Sequence, residues 1–200
     1  MSGTFVAIEG PNGVGKTTAT TLLTARLRER HDTLVHQTTE PSDTPLGRLL
    51  RSSEAVLTGR ALALAIAADR YAHIENEIKP RLEAGCHVIS DRYVPSSLVL
   101  QRLDGLALDE IWGYNAYVLA PTITFYLEDD PRVIRSRLET RQKLSRLEQA
   151  GSPERELVLY AEARNFLRGR GWTQEAIDCT GMTPERLVAA ILDRLGTDTT

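Results

Sequence analysis

The sequence predicts an α/β fold in which one parallel sheet of five strands lies between two layers of helices. Short runs of β-branched and aromatic residues alternate with longer amphipathic segments along the whole chain, which is typical of a parallel sheet. A glycine-rich turn joins the first of these runs directly to a helical segment. No stretch rich in proline, glycine or serine interrupts the alternation, so we expect one domain spanning residues 1–200.

The predicted strands cover residues 4–9, 34–37, 87–90, 122–127 and 175–179. The first and the third are runs of the kind expected of strands buried on both faces. The predicted helices cover residues 16–30, 46–53, 59–84, 96–101, 109–119, a segment from 131, 153–168 and 184–195. We expect Pro80 to bend the longest helix and Thr183 to cap the last one. Polar residues and prolines predict loops at 40–45 and at about 141–153.

The composition excludes several classes of protein. The formal net charge of −3 argues against a general nucleic-acid or membrane-surface binder, because both partners favour a basic surface. No apolar run approaches the length of about 18 residues that a membrane span needs, and the N-terminus lacks the layout of a signal peptide. Cys86 and Cys179 are isolated, which favours a reducing compartment. We therefore expect a cytoplasmic protein with neither nucleic-acid nor membrane partners.

Residues 10–17 match the motif G-x-x-x-x-G-K-[ST], which binds the phosphates of a nucleoside triphosphate. The glycines allow turns that direct backbone N–H groups at phosphate oxygens, and the following helix presents its positive end to the same anion. We expect Lys16 to reach the β- and γ-phosphates and Thr17 to bind Mg²⁺. GTPases, ATPases and nucleotide kinases share this motif, so it leaves the reaction open. The predicted ATP-binding residues of this segment are Gly10, Pro11, Asn12, Gly13, Val14, Gly15, Lys16, Thr17 and Thr18.

A second candidate site follows the predicted strand at residues 87–90. Asp91 and Arg92 come directly after this strand, and ligands of open α/β folds bind at the carboxyl ends of the strands. A carboxylate there can organise Mg²⁺ or accept a proton from an attacking oxygen, and an arginine beside it can clamp a phosphate through two hydrogen bonds. The alternative is an exposed ion pair without a function.

Further motifs follow one another along the chain. They are Ile8-Glu9-Gly10, Glu40-Pro41-Ser42-Asp43-Thr44-Pro45, Arg70 in an A-A-D-R run, Asp91-Arg92-Tyr93, Ser96-Ser97 with Gln101, and Ser145-Arg146-Leu147-Glu148. Together with the phosphate loop, this series resembles the thymidylate kinases, a family of P-loop nucleoside monophosphate kinases. The resemblance covers almost the whole chain in the right order, so it is far more specific than any single motif.

The resemblance implies a three-layer P-loop nucleotide-kinase fold with a lid segment at about residues 141–153. It implies an ATP- and Mg²⁺-dependent transfer of phosphate to dTMP that yields dTDP and ADP, and a homodimer paired through helices. Lys16, Arg92 and Arg146 would be catalytic. Asp91 would be catalytic and would also lie at the metal, together with Thr17.

The same resemblance implies a set of residues for the acceptor nucleotide. Arg51 and Arg92 would bind its phosphate, and Arg70 would hydrogen-bond its pyrimidine base. Ser97 and Gln101 would line the pocket. The full predicted set is Asn12, Glu40, Arg51, Ile66, Arg70, Arg92, Ser97 and Gln101.

The predicted lid has support from charge alone. Residues 132–146 carry six basic residues against Glu139 in a chain that is negative overall, and such a segment can neutralise a transferring phosphoryl group. By the resemblance, Arg141 and Arg146 would close onto the ATP phosphates, and residues 179–182 would lie near the adenine. The six basic residues are Arg132, Arg135, Arg137, Arg141, Lys143 and Arg146. For Arg132, Arg135 and Lys143, a solvated helix face is an equal alternative.

Several positions on the acceptor side depart from the family pattern. The family carries Asp or Glu at the position of Asn12, and phenylalanine at that of Ile66. At the position of Leu100 the family carries an aromatic residue, and at the positions of Ser42 and Asp43 it carries glycines. Stacking of a base on an aromatic ring is worth about 1–3 kcal/mol, part of which isoleucine loses. The acceptor therefore stays open between dTMP and a different or modified nucleotide or nucleoside, and an ATP-binding regulatory protein without kinase activity is a further alternative.

Overall fold

The computed structural model describes residues 3–30, 33–53, 56–141 and 146–196. Within these ranges, five strands form one parallel sheet in the order β2-β3-β1-β4-β5, which confirms the predicted α/β fold. The first strand therefore lies at the centre of the sheet. The strands are β1 (Phe5–Glu9), β2 (Val35–Thr39), β3 (His87–Asp91), β4 (Ile123–Glu128) and β5 (Gln174–Asp178).

Helices connect the strands and cover both faces of the sheet. Thr183 accepts a hydrogen bond from the backbone N–H of Arg186 at 3.3 Å, which confirms that it caps the last helix. Asp130 and Ser152 cap two other helices in the same way. The helices are α1 (Lys16–Arg28), α2 (Pro45–Ser53), α3 (Gly59–His73), α4 (Lys79–Glu83), α5 (Val94–Leu103), α6 (Leu108–Asn115), α7 (Pro131–Glu139), α8 (Arg146–Ala150), α9 (Pro153–Arg168) and α10 (Pro184–Arg194).

The side chains of the central strands alternate between two hydrophobic clusters, one on each face of the sheet. Val6 and Ile8 of β1 belong to the first cluster, whereas Phe5 and Ala7 belong to the second. The first cluster packs α1, α7 and α10 on the sheet, and the second packs α5, α6 and α9 on the other face. Because both faces are covered, the central strands β1 and β4 are buried along almost their whole length, as in other parallel sheets.

The segment between α3 and α4 departs from a regular helix. Residues Ile74–Ile78 form a π-helical turn that joins the two. Pro80 has no N–H group, and its ring clashes with the carbonyl group of Asn76 in a regular α-helix. A widened turn at this point accommodates both effects. The long predicted helix is therefore interrupted before the proline by a local widening.

The predicted loop at 141–153 contains a helix, α8. Arg146, at the start of α8, donates two hydrogen bonds to the Asp104 carboxylate at 2.5 and 2.8 Å. This pair joins α8 to the end of α5. The partner lies 42 positions earlier in the chain, so local sequence carried no signal for it.

Other element boundaries shift by a few residues from those predicted. β2 extends to Thr39, which pairs with Asp91, and α5 begins at Val94. These shifts leave the alternation of strands and helices unchanged. In the part of the chain that the structure describes, no helix combines the length and the apolar character needed to cross a membrane.

Replacing Leu98 of α5 with alanine is expected to lower the free energy of unfolding by about 2–5 kcal/mol, because the change removes apolar burial and leaves a cavity. The Leu98 side chain is fully buried in the second cluster. Urea denaturation measures the difference. Leu34→Ala is the control, since Leu34 is 63% exposed, and its effect should stay within about 0.5 kcal/mol. Equal losses in the two variants would contradict the packing described here.

Candidate active site

The loop between β1 and α1 is shaped by three glycines with left-handed backbone conformations. Gly10, Gly13 and Gly15 have φ values of 138°, 85° and 108°, which other residues rarely adopt. A Cβ atom on Gly10 would lie 2.4 Å from the carbonyl oxygen of Leu127 in β4, so the loop runs close against the sheet. Since α1 begins at Lys16, its free N–H groups and positive end point to the same space. The loop therefore has the geometry of an anion site.

Lys16 is buried beside this loop. Its Nζ atom donates hydrogen bonds to the carbonyl oxygens of Gly10 and Pro11 at 2.7 and 2.8 Å. Burial, followed by the nearby charge of Arg92, lowers the pKa of Lys16 to about 7. An anionic ligand favours the charged form of such a group. The desolvated ammonium group of Lys16 therefore gains from a phosphate at the loop.

Thr17 and Asp91 place two oxygen ligands together beside the loop. The Thr17 hydroxyl group donates to Asp91 Oδ2 at 2.5 Å. The other carboxylate oxygen, Oδ1, is buried and accepts no hydrogen bond from any residue that the structure describes. A buried carboxylate oxygen is costly unless a cation or a donor meets it, and Mg²⁺ prefers oxygen ligands of this kind. The pair therefore fits Mg²⁺.

Arg92 occupies an unusual backbone position at the end of β3. Its φ of 76° is the one left-handed value among the described residues other than glycine. Its N–H donates to the Ile8 carbonyl at 3.0 Å, and Ser90 Oγ donates to its carbonyl at 2.6 Å. The guanidinium group donates to Asn12 Oδ1 at 2.5 Å and to Ser96 Oγ at 3.2 Å. These contacts hold the strained residue in one orientation.

A cavity of about 370 Å³ lies beside Arg92, between the carboxyl ends of β2 and β3 and the helices α3 and α5. The structure brings to it every residue that the sequence predicts for the acceptor. Those lining residues are Asn12, Glu40, Arg51, Ile66, Arg70, Arg92, Ser97 and Gln101.

Arg70 is fully buried in the wall of this cavity. Its Nε atom donates to Glu40 Oε2 at 2.6 Å, and Nη2 donates to Ser97 Oγ at 2.9 Å. The Nη1 atom donates to Asn115 Oδ1 of α6. The other oxygen of Glu40 lies 3.4 Å from His73 Nδ1. Three acceptors of the protein therefore fix the orientation of the Arg70 guanidinium group. The Glu40 carboxylate also compensates its positive charge, which would be costly to bury alone.

The loop at residues 40–45 is held against α3. Asp69 accepts hydrogen bonds from the backbone N–H of Ser42 at 2.7 Å and from its hydroxyl group at 2.6 Å. Arg51 of α2 donates to the Pro41 carbonyl, and to Asp43 Oδ1 at 3.2 Å. Arg51 therefore reaches the rim of the cavity from an exposed position and pairs there with Asp43, where the resemblance implies a glycine.

Ile66 and Leu100 form an apolar wall of the cavity. Both are partly buried and pack against a small cluster around Leu50 and Leu62. Gln101 Oε1 is buried and accepts no hydrogen bond within the described part of the chain. A buried acceptor of this kind is normally paired with a donor. The cavity is therefore bounded by an apolar wall and by Gln101, whose buried amide oxygen lacks a donor among the described residues.

A second cleft, of about 300 Å³, adjoins the first and shares Thr17, Asp91 and Arg92 with it. Two arginines reach this cleft from the end of α7 and just beyond it, Arg137 and Arg141. Arg137 Nη1 donates to Asp129 Oδ2 at 2.9 Å. The cleft therefore combines the phosphate loop with a concentration of positive charge. Its lining residues are Gly13, Gly15, Lys16, Thr17, Thr18, Asp91, Arg92, Arg137 and Arg141.

A third pocket, of about 200 Å³, lies on the other side of the phosphate loop, against the start of α10. Val14 and Leu187 contribute apolar surface to it, and Cys179 and Met182 line it as well. Burial raises the pKa of the Cys179 thiol to about 11, so this side chain stays neutral. The segment predicted to lie near the adenine, residues 179–182, therefore borders a pocket next to the loop.

Arg146 does not line the cleft at the phosphate loop. Its ion pair with Asp104 turns it toward the end of α5, and its hydrogen bonds lower the pKa of the Asp104 carboxyl group. Arg141, its predicted partner on the lid, does line the cleft. In this conformation the structure therefore brings one of the two predicted lid arginines to the site.

The remaining basic residues of this region have different surroundings. Arg132 pairs with Asp130, and Arg135 pairs with Glu154, both at exposed positions. These pairs agree with one of the two alternatives from the sequence, in which Arg132 and Arg135 belong to a solvated helix face. Lys143 and Ser145 lie outside the described residues.

Two residues at the site carried no local sequence signal. Glu156 of α9 accepts hydrogen bonds from the backbone N–H of Asn12 at 2.8 Å and from its Nδ2 atom at 3.2 Å. Asn115 of α6 accepts from Arg70. Their partners lie 144 and 45 positions away in the chain, so only folding reveals these contacts.

Known proteins are similar to this chain in sequence and in fold. The family model described as thymidylate kinase matches residues 8–167. A probable thymidylate kinase of Pyrobaculum aerophilum is 39% identical over 142 residues, which cover 68% of this chain and 70% of that protein. The thymidylate kinase of Clavibacter sepedonicus is 35% identical over 195 residues, covering 88% of this chain and 92% of the relative.

The fold is similar to that of a solved thymidylate kinase from Candida albicans, with a TM-score of 0.71 and 20% sequence identity. The match covers 98% of this chain and 92% of that one. At this identity the likeness concerns the fold, whereas the family model and the two relatives concern the sequence. The chain therefore belongs to the thymidylate kinase family of ATP-dependent phosphotransferases.

Proposed function

We propose that this protein transfers the γ-phosphate of ATP to dTMP, producing dTDP and ADP, with Mg²⁺ at the nucleotide phosphates. One observation carries the proposal: the two adjoining cavities share Thr17, Asp91 and Arg92. One cavity lies at the phosphate loop, and the other contains Arg70. A phosphate group from each nucleotide therefore meets the same arginine and the same carboxylate.

The reaction depends on positioning and charge more than on proton transfer, because the acceptor phosphate is already anionic. An oxygen of that phosphate attacks the γ-phosphorus in line with the leaving oxygen. Lys16 and Arg92 stabilise the charge that develops, and they are held in place beforehand, so little reorganisation is needed. Thr17 and Asp91 would hold Mg²⁺, which supplies further positive charge when bound.

Arginines beside the cleft supply the remaining positive charge. Arg137 and Arg141 line it, which supports a role for both residues in binding ATP. The catalytic role of Arg146 stays a prediction. It requires the guanidinium group to exchange the Asp104 carboxylate for a nucleotide phosphate, which replaces one anionic partner with another.

The composition of the acceptor cavity favours one alternative substrate class, a different or modified deoxynucleotide. Ile66 and Leu100 offer apolar contact without an aromatic ring on which a base can stack. A nucleoside acceptor fits less well, because it brings no phosphate for Arg51 and Arg92. A regulatory protein without activity also fits less well, since Asp91 remains in place beside the loop.

A homodimer is the proposed assembly. The outward face of α3 carries exposed apolar residues at a spacing of three or four, and an exposed stripe of this kind is typical of an interface. Tyr117 lies next to the same helix, because its backbone N–H donates to the hydroxyl group of Tyr71 on α3. Its side chain adds a further exposed aromatic ring, at 90% exposure. The stripe consists of Ala61, Leu64, Ala68 and Ala72.

The organisation and location of the protein also stay proposals. One domain over residues 1–200 is supported by the single sheet, which joins all the described strands. A cytoplasmic location is supported by Cys86 and Cys179, which are both free thiols.

With ATP and Mg²⁺, the protein is expected to phosphorylate dTMP faster than dUMP, dCMP or dGMP. Lys16→Ala should lower kcat by about 100-fold or more, because it removes a buried cation from the phosphates. Release of ADP measures each rate. Lys79→Ala is the control, since Lys79 pairs with Glu75 at the surface. If no monophosphate reacts while both variants stay folded, the proposed reaction is wrong. A faster rate with another monophosphate than with dTMP would identify that nucleotide as the substrate.

Replacing Asp91 with asparagine should lower kcat by about 100-fold and raise the Mg²⁺ concentration needed for half-maximal rate, because a neutral amide holds the cation weakly. Rates measured over a Mg²⁺ titration test this. Asp130→Asn is the control, because Asp130 pairs with Arg132 outside the cavities. An unchanged Mg²⁺ dependence in the Asp91 variant would remove Asp91 from the proposed metal site.

Leu64→Glu is expected to shift the protein from dimer to monomer, because it places a charge in the centre of the apolar stripe on α3. Leu64 is 51% exposed in one chain. Light scattering after size-exclusion chromatography measures the mass. Val158→Glu, at a 58% exposed position on α9, should leave the mass unchanged. A monomeric parent protein, or a dimer that survives the Leu64 change, would contradict this interface.

A further inference from the structure

Glu156 is a buried carboxylate in the first turn of α9, and its partner is the phosphate loop. Its side chain is 2% exposed. Oε2 accepts from the backbone N–H of Asn12 at 2.8 Å, and Oε1 accepts from Asn12 Nδ2 at 3.2 Å. Gly151 lies on its other side, where an added Cβ atom would be 2.6 Å from Oε1. The carboxylate is therefore confined between the loop and the backbone that precedes α9.

These contacts determine which way the Asn12 amide points. Because Nδ2 donates to Glu156, Oδ1 is left to accept from Arg92 Nη2, and it does so at 2.5 Å. The reversed amide would place an oxygen against the carboxylate and an NH₂ group against the guanidinium group. Two hydrogen bonds would then become two repulsive contacts. The orientation of Arg92 therefore follows from Glu156 through Asn12.

The charge of Glu156 matters as well as its shape. It adds a favourable electrostatic interaction to two buried cations of the site, Lys16 and Arg92. A second carboxylate at position 12 would lie directly against the first, and two carboxylates at this distance do not both stay ionised. A neutral amide at Asn12 is therefore a requirement set by Glu156.

We propose that Glu156 and Asn12 form a charge-specific pair that positions Arg92 for the phosphate group of the acceptor monophosphate. Glu156 acts through Asn12, so it is a positioning residue. The inference rests on the proposed function in one respect, which is that Arg92 binds the acceptor.

The proposal makes a specific prediction about the single negative charge of this pair. The charge can move from position 156 to position 12, but acceptor binding is impaired when the charge is removed or when a second one is added. In Glu156→Gln, the glutamine accepts from the backbone N–H at position 12, and its NH₂ group then meets the NH₂ group of Asn12. In Asn12→Asp, two carboxylates meet. In the double variant, the glutamine NH₂ group donates to the new aspartate, whose other oxygen accepts from Arg92. The net charge and every hydrogen bond of the pair are then restored.

The experiment compares the parent protein with Asn12→Asp, Glu156→Gln and the double variant, using dTMP as the probe. KM and kcat are measured with ATP, and dTMP binding is measured by titration calorimetry. Each single variant should raise the KM for dTMP by about tenfold, and more than it raises the KM for ATP. The double variant should return to within about threefold of the parent protein, because the two residues act as one unit.

Glu154→Gln is the matched control. Glu154 lies in the same first turn of α9 but is exposed and pairs with Arg135, so its change should leave both KM values unaltered. Thermal denaturation of each protein separates a loss of folding from a loss of acceptor binding. A merely structural role for Glu156 would lower stability without the recovery in the double variant.

Three outcomes would overturn the inference. They are losses that multiply in the double variant, a Glu156→Gln protein that behaves like Glu154→Gln, and equal increases in the KM values for ATP and dTMP. Failure of the proposed function looks different, because the parent protein would then release no ADP with any monophosphate. The calorimetric titration with dTMP still tests the pair in that case.

Discussion

The parallel pairing of β1 with β3 is the constraint on which the site depends. Its register places Ile8 opposite Asp91, and the N–H of Arg92 extends the ladder to the Ile8 carbonyl at 3.0 Å. Because the phosphate loop follows β1 directly, this pairing brings Thr17 within hydrogen-bond distance of Asp91. A slip of one residue would turn Asp91 to the opposite face of the sheet. The two cavities would then no longer share its carboxylate.

Hydrogen-bond donors and nearby cations of the protein compensate the buried negative charge at this edge of the sheet. Glu9 is fully buried, and burial raises its pKa, yet it accepts hydrogen bonds from the N–H groups of Tyr93 and Ser96 at 2.6 and 3.2 Å. This carboxylate joins the end of β1 to the start of α5. Removing one partner of a buried pair costs about 3–5 kcal/mol, so such a network stays in one arrangement. A rigid site of this kind favours phosphoryl transfer, because its groups need little rearrangement as charge develops.

The sequence predicted the positions of its motifs most closely where a motif lies at the end of a strand, although the roles of these residues stay predictions. Asp91 and the phosphate loop met as expected, because all parallel strands end at the same edge of the sheet. Arg70, on α3, also lies at the predicted cavity, although its role toward a base stays a prediction. In the predicted lid, Arg146 was expected at the ATP phosphates, but it pairs with Asp104. An arginine on a surface segment binds whichever carboxylate the folded chain places near it.

The sequence by itself determined the local geometry of this protein: the left-handed glycines of the phosphate loop, the apolar runs of the strands and the cap at Thr183. Backbone sterics and short-range hydrogen bonds produce these features wherever such residues occur together. Only the tertiary structure decided that Asn12 meets Glu156 across 144 positions and that Arg70 meets Asn115 across 45. Such partners depend on how helices pack over the sheet, and nothing in the neighbouring residues specifies that packing.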